Sequence, residues 1–166
     1  MNKGKLLTPV LQSMAEGYRK QLSKYRAMLK LAEMQKKCTE AENLERLEEV
    51  ISARQKLISE LEEMNGQLRP LREDIMKTLG IEVFSSSALL EVLPVKAAEN
   101  LTEVLGELGE ILYAIKEMDI LNENLLKAKL TNVNKDIKTI QDKNMAKKAY
   151  KKKISGKPEN KFDKSK

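Results

Sequence analysis

The chain contains no histidine and no tryptophan. The first absence removes the side chain most used for general acid-base chemistry, metal ligation and serine or cysteine triads. A single cysteine, Cys38, allows no intrachain disulfide and no multi-cysteine zinc site, and it suits a reducing compartment. Its expected place is as a small buried hydrophobe near a helix end. Two Phe and four Tyr hold aromatics to 4%, so Leu, Ile, Val and Met must do the packing. Seven Gly and four Pro in 166 residues are too few for the regularly spaced turns of a sandwich or barrel. Long apolar runs are missing too: the opening MNKGKLLTPVLQSM has only two consecutive leucines, and charged residues recur throughout. Neither a signal peptide nor a membrane-inserting segment is expected, and the expected location is cytoplasmic.

Chemistry is equally sparse. There is no Gly-rich phosphate loop, HExxH, EF-hand loop or GxSxG elbow. The acidic pairs Glu48–Glu49 and Glu62–Glu63 are sequence neighbours on a helix, about 100° apart, and cannot flank one scissile bond. The expectation is a protein that is not an enzyme, with no catalytic residue, no metal and no cofactor.

What is abundant is Leu, Glu, Lys, Met and Ala, all good helix formers. Residues 1–37 carry a net +7, 38–79 a net −4, 80–126 a net −7 and 127–166 a net +10. Most of the positive charge is lysine, 25 against 6 arginines, without the aromatic platform that single-stranded nucleic acid requires, so no specific nucleic-acid partner is expected.

Apolar spacing predicts three long helices. Thr8 is an N-cap candidate with Pro9 at the first helical position, and Leu11, Met14, Tyr18, Leu22, Tyr25, Met28, Leu29 and Ala32 share one face to about Lys37. The second helix places Leu44, Leu47, Ile51, Ile58, Leu61, Leu68, Ile75 and Leu79 on a seam ending at Gly80, with a kink or break expected around 65–70 from Pro70. Ser85, Ser86 and Ser87 cap a short helix over Ala88–Leu93, and Phe84 plugs that end of the bundle or meets a partner. The third long helix carries Leu101, Leu105, Leu108, Leu112 and Ile115, then Asp119 and Asn122, then Leu126, Leu130, Val133, Ile137 and Ile140. The step from Leu126 to Leu130 is a stutter. Either the two polar residues belong to packing or solvent, or they mark where the helix changes from packing inside to binding a partner.

The expected fold is therefore all-α: an antiparallel helical hairpin plus a long third helix, a three-helix coiled-coil-like bundle with a short connecting helix. One domain spans 1–146, with helices about 9–37, 43–79, 88–93 and 95–146. A disordered lysine-rich tail follows over 147–166, where Tyr150, Ile154 and Phe162 are isolated apolar grips. The hairpin is too short to cover the whole third helix, which assigns partner binding to Asn122, Leu126, Leu130, Val133, Ile137 and Ile140.

This order of parts resembles the FlgN family of flagellar type III export chaperones. The resemblance rests on ENLERLEEVISARQKLISELEEMNGQLRPLREDIMKTLG in the second helix and ILYAIKEMDILNENLLKAKLTNVNKDIKTI in the third, followed by AYKKK. It covers roughly residues 10–153, LNENLL being its most distinctive part, and the long lysine tail departs from the family's usual shorter end. It implies a cytoplasmic chaperone, monomeric or a weak homodimer, that binds the disordered C-terminal segments of the hook-filament junction proteins FlgK and FlgL. Such a chaperone keeps its clients monomeric and unfolded and delivers them to the flagellar export gate, with Tyr150 the candidate for docking there. The alternative is a structural coiled coil whose polybasic tail binds nucleic acid or anionic membrane.

Overall fold

Four helices follow one another in the computed structural model, which describes residues 3–155, with side chains from 7 to 153: α1 (Lys3–Glu40), α2 (Leu44–Leu79), α3 (Ser86–Val92) and α4 (Val95–Ser155). The described residues include no strand, as an all-α reading requires. The chain divides into two units, 1–123 and 124–166. The sequence reading had placed one domain through 146.

α1 begins ahead of Thr8, so Thr8 is not its N-cap and Pro9 lies inside the helix. Leu7 and Val10 pack against the core, which gives these early turns a reason to be helical. Pro9 deprives only the carbonyl of Lys5, in the first turn, of a ladder bond. α2 also continues through its proline, so of the kink or break expected there the break does not occur. Pro70 cannot bond to the carbonyl of Gly66, but both residues are exposed, and water can satisfy that oxygen.

The pairs that join α1 to α2 show the hairpin's direction. Gln21 donates to Asn65 at 2.5 Å, Lys24 to Glu60 at 2.7 Å, and Arg54 to Gln35 at 2.6 Å, so one number falls as the other rises. Gly17 lets α1 lie close against α2, since a Cβ there would stand 2.8 Å from a methyl of Leu68. Ala41–Asn43 turn the chain, with Glu42 at φ 55°, and the Asn43 side chain caps α2 by accepting from the amide of Arg46 at 3.1 Å. Gly80, at φ 67°, closes α2 in the left-handed conformation that favours glycine.

After it, Ser85 caps α3 by accepting from the amide of Ala88 at 3.2 Å. The carbonyl of Pro94 starts α4 by accepting from Ala97 and Ala98 at 3.0 and 3.3 Å. α3 inserts Leu89, and Leu93 follows it, into a core shared with Met14, Tyr18 and Leu22 of α1, Leu68 and Ile75 of α2, and Leu101 and Val104 of α4. Half-buried Phe84 packs on this core and stacks on Tyr18 at 6.3 Å between centroids, the plug that its position suggested.

Further along, Met28, Leu61 and Ile115 form a smaller cluster from all three long helices, whereas Cys38, Leu47 and Val50 cluster at the hairpin turn without α4. Between these two levels Arg54, with 15% of its side chain exposed, donates to Gln35 and at 2.6 Å to Asp119, and its Nε lies 3.4 Å from the sulfur of Met28. Arg54→Ala strips these partners of their donor and should lower unfolding free energy by about 2 kcal/mol in urea titrations. The outer ion pairs Arg19–Glu103 and Arg26–Glu107, at 3.9 and 3.8 Å on exposed flanks, contribute little.

Four residues assigned to the seams are instead exposed: Leu44, Ile51 and Ile58 on α2 and Leu112 on α4. At about 100° per residue, the three α2 residues stand roughly 60–100° round from Leu61, on the flank of the packed stripe rather than at its centre.

Two groups link folding to pH. Burial pushes the Tyr18 hydroxyl above the ordinary 10.0, with nearby Arg72 opposing. The folded state thus holds that proton more tightly than the unfolded chain. Its contribution is intact below the unfolded value and is lost as pH rises through the folded one. The hydrogen bond from Lys24 holds Glu60 below the usual 4.5, so its contribution is present above that value and lost on acidification. Urea midpoints should fall above about pH 10, and the part of that fall due to Tyr18 should vanish in Tyr18→Phe.

Candidate functional site

From Asn124 to Ser155 the described part of the second unit is a single helix, the later portion of α4. Ala, Leu and Lys favour it, and Thr131 and Thr139 return their hydroxyls to the carbonyls of Lys127 and Lys135 at 3.0 and 2.9 Å, satisfied without leaving the helix. The helix continues nine residues beyond the end expected at Ala146, so residues 147–155 are not disordered. Ala149 and Lys151–Lys153 are good helix formers, and lysines in a last turn complement the negative end of the helix dipole. Residues 156–166, with Phe162, and the side chain of Ile154 lie outside the described residues.

Leu126, Leu130, Val133, Ile137 and Ile140 follow steps of four, three, four and three, which at about 100° per residue keeps them within a sector of roughly 80°. They are 42, 56, 52, 48 and 58% exposed. These residues therefore form one continuous apolar face open to solvent.

Asn122 is the exception among the residues assigned to partner binding. It is 3% exposed, its amide donates at 2.9 Å to the carbonyl of Ala32 in α1, and its own Oδ1 is buried without a hydrogen-bond partner. It belongs to the packing of the first unit, because the seam position that aligns it with Leu126 also aligns it with buried Ile115. Nothing outside the bundle can reach it.

Tyr150 is exposed and lies on the helix, not in a disordered tail. It shares a shallow depression with Lys143, Ala146, Lys147 and Lys151. None of these lysines is among the site residues that the sequence predicts: Lys147 and Lys151 fall in the expected tail of 147–166, and Lys143 just before it. Spacing was the available signal: carried on from Ile140 by steps of four, three and four, the apolar stripe runs into Asn144, Lys147 and Lys151, with Lys143 on its flank. Between 124 and 153 the chain has ten lysines against Asp136 and Asp142.

The described residues hold no group of three or more Cys, Asp or Glu able to bind a metal, and no helix among them is long and apolar enough to cross a membrane. A protein-family model described as "FlgN protein" matches residues 10–157, most of the chain. The comparisons with curated proteins and with solved structures give no match.

Proposed function

Because the chain belongs to the FlgN family of flagellar export chaperones, we propose that it binds the disordered C-terminal segments of FlgK- and FlgL-type hook-filament junction proteins. It holds them in the cytoplasm, prevents their premature assembly and delivers them to the type III export apparatus. The observation that carries this reading is the exposed face of Leu126, Leu130, Val133, Ile137 and Ile140. A disordered segment that folds into an amphipathic helix on this face buries its own apolar residues, and the gain offsets the entropy of ordering. Tyr150, exposed beyond the apolar face, is assigned to docking on the export gate.

The lysines of the second unit favour one other reading, a coiled coil anchored to a polyanion. Salt separates the two, because phosphate binding collapses as salt rises whereas apolar burial persists. Capture of this protein's partners from its native cells at moderate salt, with the bound proteins identified, tests the proposal. Recovery of junction proteins supports it; recovery of nucleic acid or lipid alone refutes it.

A further inference from the structure

Resting on that reading, we infer that the apolar face takes a client helix lying antiparallel to α4, and that the client carries carboxylates in the turns preceding its apolar run. The face is chemically two-ended. Its first end is apolar from Leu126 to Ile140, and its second is Lys147 and Lys151, which continue the stripe, with Lys143 on its flank beside Tyr150. All three lysines are exposed. An apolar helix laid along the whole face would bring one of its ends against these ammonium groups with nothing of its own to pair them. Carboxylates there pair them and keep the rim solvated.

Direction follows from electrostatics. The lysine end of the face is the C-terminal end of α4, where the helix dipole is negative. An antiparallel client puts its positive N-terminal end there, and carboxylates in its first turns also complement its own dipole. In a parallel client the same carboxylates would fall in the last turns, against that client's own dipole. The charge of the face and the dipoles of both helices therefore agree on one arrangement.

Three labelled peptides titrated against the full chain by fluorescence anisotropy test this. All share one apolar run with steps of four, three, four and three. The first carries glutamates only before the run, the second only after it, and in the third glutamine replaces every glutamate. The acid-first peptide should bind about tenfold more tightly than the acid-last peptide, three rim charge pairs being sufficient. That gap should close when Lys143, Lys147 and Lys151 are all changed to Gln, a substitution that preserves the helix. Charge reversal to Glu should invert the preference toward a lysine-first peptide.

Equal binding of the acid-first and acid-last peptides, or a gap that survives the glutamine variant, overturns the inference. The glutamine peptide reports the underlying reading separately. If it binds and loses affinity in the Leu130→Ala, Ile137→Ala variant while no charge preference exists, only the inference falls; if no peptide binds, both fall. Two further results overturn it by assigning the lysines elsewhere. One is tighter capture of phosphatidylserine vesicles or a single-stranded oligonucleotide than of the acid-first peptide at physiological salt. The other is self-association of the free protein that the glutamine variant abolishes.

Discussion

Changing Leu130 and Ile137 together to alanine is expected to weaken client binding about thirtyfold or more, a hot-spot cost of about 2 kcal/mol, while the unfolding midpoint stays where it is. The separation of the two effects follows from exposure. These side chains are already 56 and 48% exposed, so truncation removes little buried area from the free protein. Alanine is also the better helix former, and a gain of a few tenths of a kcal/mol offsets what little packing is lost. In the complex the same side chains sit near the middle of the apolar face, where water is excluded most fully. Lys138→Ala, on the opposite side of the helix, should leave affinity nearly unchanged. Calorimetry with the C-terminal client segment reads the first effect, and thermal unfolding by circular dichroism the second. Unchanged affinity in the double variant sinks the assignment. So does strong hydrogen-exchange protection of residues 126–140 in the free protein, matching that of 101–115.

The opposite pattern is expected about eight to ten turns earlier on the same helix. Leu101 is 1% exposed and meets side chains from α1, α2 and α3 in the largest core cluster. Leu101→Ala removes its transfer free energy and leaves a cavity that three other helices must collapse to fill. The expected loss is about 3 kcal/mol of unfolding free energy. Against a total of roughly 5–15 kcal/mol for a typical domain, the midpoint in urea should fall substantially. Leu121→Ala, on the same helix but 51% exposed, is the control and should cost under about 1 kcal/mol. At temperatures where the Leu101→Ala protein remains folded, its client affinity should be unchanged. A large affinity loss in the folded variant would show that the binding face depends on the core of the first unit.

Helix type and the two caps at Gly80 and Ser85 were legible from residue chemistry, because each depends on interactions within a few positions; the plug at Phe84 followed instead from the scarcity of Phe, since the Tyr18 it stacks on lies on another helix. The periodicity also located the exposed stripe of α4. It could not grade depth. Ile51 and Ile58 fit the seam of α2 by spacing, yet only packing against α1 decides that Leu47 and Val50 are buried and they are not. Asn122 fails for the converse reason: its position matched the stripe, and only a backbone carbonyl ninety residues away reveals that it is buried. Spacing sets Arg54 on the seam of α2, seven residues before Leu61, but the partners that hold it, Gln35 and Asp119, lie on other helices and are not legible in the sequence. Neither Pro9 nor Pro70 ends its helix: both are exposed, and water can serve the carbonyl that each leaves without a donor.

A polar pair beside the end of the first unit also solves a problem of alignment. Leu101, Leu108 and Ile115 repeat every seven residues, so sliding α4 along α1 by one repeat, about 10 Å, would set similar side chains against the same neighbours. Apolar surface alone distinguishes such slipped arrangements poorly. The pair of Asp119 and Arg54 does not repeat at that spacing, and a slip would leave the largely buried Arg54 without its carboxylate. That pair acts as an index mark on an otherwise uniform ruler.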